Sequence, residues 1–154
     1  MSPRIRVATS LDHEGIRGVY LRAFPEGENQ LVATLATNLL NEETEPETIA
    51  LVAEIGGDVV GHIAFSPVIA DTKKNWLGYI LAPLGVKPEH HRVGIGSELV
   101  KSGVELISKK MASVLFVYGD PKYYGKFGFS AEAATQFIPP YELKYPFGWQ
   151  ARVL

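Results

Sequence analysis

The run Leu84-Gly-Val-Lys-Pro-Glu-His-His-Arg-Val-Gly-Ile-Gly-Ser97 constrains this chain more than any other stretch of its 154 residues. It leaves an apolar segment, crosses a short basic loop and enters an amphipathic segment through Gly94 and Gly96. A strand, a tight loop and a helix start must therefore follow one another. A helix start leaves about four backbone N–H groups without partners and carries roughly half a positive charge. Glycine lets a phosphate approach those groups closely. The pattern predicts an anion site for a phosphorylated ligand.

Two common phosphate motifs do not fit. The chain has no Gly-x4-Gly-Lys-Ser/Thr run, and the position that would carry the third glycine of a dinucleotide fingerprint is Leu99. The site also lies past mid-chain, whereas a dinucleotide fold carries its glycine turn early, after the first strand. What remains is strand, loop, Gly94-x-Gly96, helix, preceded by Pro83. Proline removes a ladder donor from the strand before the loop. A strand broken there splays from its neighbour and frees backbone groups near Leu84–Val86 for an extended ligand, as in strand addition. A pyrophosphate head with a long amide-bearing arm uses both features, and coenzyme A is such a ligand.

The rest of the sequence sets the frame. The length suits one domain spanning 1–154. A hydrophobic share of 46% argues against disorder, and a net charge of −2 against nucleic-acid binding driven by overall charge. With no cysteine, disulfides, thiolate metal sites and a cysteine nucleophile are excluded. His13, His62, His90 and His91 lack metal-ligand spacing, so no metal is expected. The first residues lack an apolar signal region and no apolar run reaches membrane-span length, which makes a cytoplasmic protein without a membrane partner the expectation.

Patterning predicts a strand at Arg4–Ala8 and a helix marked by Ile16, Val19, Tyr20, Ala23 and Phe24, broken at Pro25-Glu26-Gly27. Leu31, Leu35 and Leu39 mark a second helix. A hairpin follows over Thr48–Ile55 and Val59–Val68, then a polar turn at Asp71–Asn75 and a strand at Trp76–Val86. Next come a helix from Gly94 to about Lys110, a strand at Ser113–Tyr118, a short helix at Pro121–Phe127, and strands near Phe129–Phe137 and Gly148–Leu154. The expected fold is mixed α/β, in the order β-α-α-β-β-β-α-β-α-β-β.

The stretch Leu84–Leu99 resembles the acetyl-CoA motif of the GNAT (GCN5-related) N-acetyltransferases: a strand ending Leu-x-Val-x-Pro, then Gln/Arg-x-x-Gly-x-Gly/Ala at the helix start. Tyr124-Gly-Lys-Phe-Gly128-Phe129 resembles the family's second motif, Tyr-x-x-x-Gly-Phe. One helix and one strand separate the two, and the element order matches nearly the whole chain. The Ala-Pro-Leu-x-Val and Gly-Asp-Pro-x-Tyr-Tyr-Gly-x-Phe-Gly-Phe runs further resemble the YhbS-like subgroup.

The resemblance implies a GNAT fold, with a mixed sheet and a splayed strand pair, and an acetyltransferase using acetyl-CoA. Val93, Gly94, Ile95, Gly96 and Ser97 would offer backbone donors to the pyrophosphate, with Arg92 adding charge. Leu84, Gly85 and Val86 would form the strand that pairs with the pantetheine arm. His91 stands where the family has Gln or Arg, so its side-chain contribution is open. Tyr124 would be the general acid at the leaving thiolate. Tyr123 and Lys126 are secondary candidates for ligand contact. Glu28, Glu54, Asp120 or a water would act as base, a choice the sequence leaves open. Tyr141, Tyr145, Phe147 and Trp149 are candidates for the wall of an amine-acceptor pocket, with core packing as the alternative. The lack of cysteine fits direct transfer to a primary amine. A non-catalytic acyl-CoA-binding regulatory module is the competing reading, and a homodimer is compatible with either.

Overall fold

The structure, a computed structural model, describes residues 2–69, 76–139 and 142–154. Six strands form one sheet in sequence order: β1 (Arg4–Val7), β2 (Ile49–Ile55), β3 (Asp58–Ile69), β4 (Trp76–Val86), β5 (Val114–Tyr118) and β6 (Trp149–Val153). Among the described residues five α-helices accompany them: α1 (His13–Ala23), α2 (Asn29–Asn41), α3 (Ile95–Ser108), α4 (Pro121–Tyr124) and α5 (Ala131–Ala134). All neighbouring strands are antiparallel except β4 and β5, which are parallel and joined through α3. A parallel pair requires such a crossover.

Side chains alternate between the two faces of the sheet. On one face α3 buries Ile95, Leu99, Val100, Val104 and Ile107 against Leu51, Ile63, Phe65, Leu81, Leu115 and Val117. The other face is covered in two parts. Helices α1 and α2 lay Ile16, Val19, Tyr20, Ala33 and Ala36 over Val52 and Val59. At the far end α5 and the chain after it cover Val114, Phe116 and Ala151. There the Phe116 ring stacks on Trp149 at 4.9 Å and meets Phe137 edge-on at 5.0 Å.

One expectation needs correction. The segment Phe129–Phe137 is not a strand: Ser130 alone bridges to Ala151, and Ala131–Ala134 is helical. The Ser130 hydroxyl accepts the Ala133 N–H at 3.1 Å, so a capping serine ahead of alanines and a glutamate prevails over the strand pattern. The order is therefore β-α-α-β-β-β-α-β-α-α-β. In α2, Leu31 and Leu35 mark the helix but lie outside, 76% and 46% exposed. Ala33, Ala36 and Thr37 form its buried face. Small residues there let α2 approach α1 closely. The expected polar turn at Asp71–Asn75 lies outside the described residues.

The sheet opens where Pro83 predicts. Pairing of β4 with β5 runs from Gly78↔Val114 to Leu81↔Val117 and stops. On its other edge β4 stays paired to β3 through Ile63↔Leu84, His62↔Gly85 and Gly61↔Val86. Between Leu81 and Leu84, Ala82 and Pro83 together face Ala64 alone, which makes a bulge on β4. A bulge bends and twists its strand, and here it carries the end of β4 away from β5.

Candidate functional site

The site begins at the free end of β4. The Lys87 N–H donates to the Val60 carbonyl of β3 at 2.9 Å. Backbone groups alternate direction along a strand, so those of Leu84 and Val86 face the opposite edge, into the gap left by β5. A short turn at Pro88–His90 follows, and then the loop closes through Arg92 at φ 66° and Gly94 at φ 86°. Gly94 caps α3, and the first regular helical bond runs from the Glu98 N–H to its carbonyl at 3.0 Å. The N–H groups of Ile95, Gly96 and Ser97 precede that bond and point out of the helix start.

These parts enclose a cavity of about 450 Å³. Leu84, Gly85, Val86, His91, Arg92, Gly94, Ile95, Gly96 and Ser97 line it, so of the residues that the sequence nominates for the cosubstrate all but one meet here. Val93 does not line the cavity and is 69% exposed. His91, the irregular position, donates from Nε2 to the Val86 carbonyl at 2.6 Å. It ties the loop back to the strand end.

Three further residues line the cavity: His90, Tyr123 and Lys126. The Tyr123 hydroxyl lies 2.8 Å from the place a Cβ on Gly96 would occupy, so it sits directly over the helix start. Burial raises its pKa and the Ser97 hydroxyl opposes that shift. The Lys126 ammonium stands 4.5 Å above the Tyr123 ring, a cation–π contact that holds it at the rim. Sequence carried a signal for this pair. Residues three apart share a face in a helical turn, and one face of the Pro121–Phe127 turn had to meet the glycine loop.

Tyr124 lies deeper and does not line this cavity. Asp120 and Pro121 start its short helix, the Asp120 carboxylate accepting the Lys122 N–H at 2.9 Å. The Tyr124 ring meets Tyr123 and Phe129 edge-on at 5.0 and 6.0 Å. Burial pushes its phenol up to about 12, with Tyr123 adding to the effect.

The remaining candidates disperse. Glu54 is held by Arg4 at 3.5 Å and Arg6 at 3.3 Å. Asp120 is the helix cap, Glu28 is exposed ahead of α2, and none of these carboxylates lines the cavity. Trp149 belongs to the core with Phe116. Tyr145 and Phe147 are exposed; the Tyr145 N–H donates to the Tyr118 hydroxyl at 2.8 Å. Tyr141 lies outside the described residues. Among the described residues no cluster of three or more His, Asp or Glu could hold a metal, and no helix is long and apolar enough to cross a membrane.

A wider groove of about 820 Å³ runs beside α3, lined in part by Lys101, Lys109, Lys126 and Arg152. It does not contain the glycine loop, but it shares Lys126 with the smaller cavity.

Comparison with known proteins agrees with this geometry. The family model for an acetyltransferase (GNAT) domain matches residues 46–131, from just before β2 into α5. The uncharacterized N-acetyltransferase YjhQ of Escherichia coli K12 is 34% identical over 134 residues, covering 86% of this chain and 72% of that protein. The uncharacterized N-acetyltransferase YhbS of the same organism is 33% identical over 131 residues, covering 84% and 74%. The crystal structure of Escherichia coli YhbS in complex with CoA superposes with a TM-score of 0.84 at 27% identity, over 98% of this chain and 81% of that one. A GNAT family acetyltransferase from Brucella melitensis in complex with acetyl-CoA gives 0.72 at 28% identity, over 99% and 88%. Parallel β4 and β5 parting above a glycine-capped helix are thus set in a shared fold and a shared sequence, and the chain belongs to the GNAT family of N-acetyltransferases.

Proposed function

We propose that the chain transfers an acetyl group from acetyl-CoA directly to a primary amine. The observation that carries this reading is the meeting, in one cavity, of the unpaired edge of β4 with the glycine-capped start of α3. Backbone N–H groups of the Gly94–Ser97 segment take the pyrophosphate, and Arg92 and Lys126 balance its charge. Lys126 continues into the cationic groove along α3, which supports a path for the phosphate-bearing end of the cosubstrate. The main chain of Leu84 and the N–H of Val86, whose carbonyl is taken by His91, pair with the amide arm as an added strand would.

In the reaction the amine first loses its proton to water or a carboxylate. Its nitrogen then bonds to the thioester carbon, the C–S bond breaks, CoA leaves as a thiolate, and the cationic nitrogen gives a proton to water to leave the neutral amide. A phenol with its pKa pushed up to about 12 is a weaker acid than a thiol of about 8.5. Tyr124 therefore serves chiefly as a hydrogen-bond donor that stabilises charge growing on sulfur, and solvent completes the protonation.

The competing reading, an acyl-CoA-binding module without catalysis, is favoured by one observation: Glu28, Glu54 and Asp120 all lie off the cavity. Calorimetric titration with CoA and acetyl-CoA, joined to a thiol-release assay across an amine panel, separates the two. Sub-millimolar binding with amine-dependent thiol release is the expected result. Binding without release selects the regulatory module. No binding at sub-millimolar concentration removes both.

A further inference from the structure

On the side of β4 facing α1 lies a buried tyrosine–histidine pair that the proposed reaction does not use. Tyr20 of α1 and His62 of β3 are both 0% exposed. The Tyr20 oxygen lies 2.7 Å from His62 Nδ1 and 3.2 Å from the His62 carbonyl oxygen. A hydroxyl has one proton to give. The arrangement that satisfies both contacts has the hydroxyl donating to the carbonyl while Nδ1–H donates to the hydroxyl oxygen. His62 Nε2 is then a bare acceptor, and it finds no partner among the described residues. Burial keeps the ring neutral.

An apolar pair of similar volume would fill this space without an orphaned nitrogen, and buried unpaired polar atoms are costly. What the polar pair adds is direction. It fixes the Tyr20 ring at one place, and that place is against Gly85. His62 and Gly85 are register partners across β3 and β4. A Cβ on Gly85 would stand 2.6 Å from Tyr20 Cε1, so the strand already rests on the edge of the ring. Gly85 sits between Leu84 and Val86, whose main chains face the cavity. The Tyr20 phenol also lies within the electrostatic reach of Tyr124.

We propose that Tyr20 and His62 are positioning residues of the donor site: the hydroxyl-fixed ring is the floor under Gly85, and it sets how far the Leu84 and Val86 main chain reaches toward the amide arm of acetyl-CoA. The proposal rests on the reading of the cavity as the acetyl-CoA site.

The test is a compensation experiment on the full chain, read by calorimetric CoA binding with thermal melting alongside. Gly85→Ala is expected to weaken CoA binding about ten-fold, because the methyl group lifts the strand off the ring. Adding Tyr20→Met, whose flexible thioether can yield, is expected to restore binding to within roughly three-fold of wild type. Equal loss with Tyr20 or with Met at that position overturns the proposal, as does no loss at all. Tyr20→Phe keeps the ring and removes its anchor. It is expected to raise KM for acetyl-CoA about five-fold with kcat within roughly two-fold, and to speed amide exchange at Gly85 and Lys87, whose N–H groups point to β3. An unchanged KM with unchanged exchange also overturns the proposal, and decides alone if the Met variant does not fold. Wild-type protein that binds no CoA would strike the acetyl-CoA reading instead, and the exchange rates in Tyr20→Phe would still judge the positioning.

Discussion

Tyr123 and Tyr124 are neighbours in sequence with different surroundings. Tyr123 faces the glycine loop and shares its rim with Lys126, while Tyr124 is packed among Tyr123, Phe129 and the β5 end. Burial disfavours the charged phenolate, so the Tyr124 proton is retained until about pH 12. Replacing Tyr124 by Phe is expected to lower kcat by about 10²-fold while CoA affinity stays within roughly two-fold. Steady-state kinetics paired with calorimetry checks this, and an unchanged kcat rejects the role. The wild-type rate should show no alkaline fall caused by Tyr124 below about pH 11. Sequence motifs point to Tyr124 and rank Tyr123 behind it. They do not say which ring meets the loop, because that depends on how a one-turn helix is rotated against α3.

At the scale of elements, the glycine loop works because its backbone takes turns that side chains resist. Gly94 caps α3 at φ 86°, a left-handed conformation. Gly94→Ala meets no atom within 4 Å, so its effect is conformational and not a clash. It is expected to cost about 1 kcal/mol of stability and to weaken CoA binding about ten-fold as the loop shifts. Urea unfolding and titration measure the two effects separately. A variant that binds CoA as wild type does would show that the loop tolerates another path. The His91 bond to Val86 belongs to the same element-level logic, since it joins the loop to the strand end without occupying the helix N-terminus. The motif places His91 at an irregular position, and only the fold gives the residue a partner.

At the scale of the molecule, two linkages follow. His62 has its pKa lowered by burial to about 3, against an ordinary 6.5. The unfolded chain therefore binds this proton more readily than the native one. Its stabilising contribution is complete above about pH 6.5 and is lost as pH falls toward about 3, at up to ~1.4 kcal/mol per pH unit. Asp12, drawn down by its hydrogen bond to Arg6, adds a further loss at the acid end of that range. Urea midpoints should fall steadily between about pH 6.5 and 4, and a flat profile contradicts the burial of a neutral His62. The second linkage is to ligand. CoA at 100 times its Kd is expected to add ~2.7 kcal/mol, a rise in Tm of roughly 5–10 °C for a chain of this size. A melting scan with and without CoA tests it, and no shift means that the native state does not bind it.

Local sequence was enough to set the strand–loop–helix order around Gly94 and Gly96, the opening of the sheet after Pro83 and the crossover through α3. Each follows from local chemistry: a missing donor, a backbone free to turn, an apolar stripe at helical spacing. Tertiary structure decided what local chemistry leaves balanced. It turned Leu31 and Leu35 outward and gave the buried face of α2 to Ala33, Ala36 and Thr37. It made Ser130 a cap where a strand was expected. It placed Tyr123, and not Tyr124, over the helix start, and it set Tyr20 on His62 beneath Gly85. These are contacts between segments distant in sequence, and their energies depend on a packing that no segment carries alone.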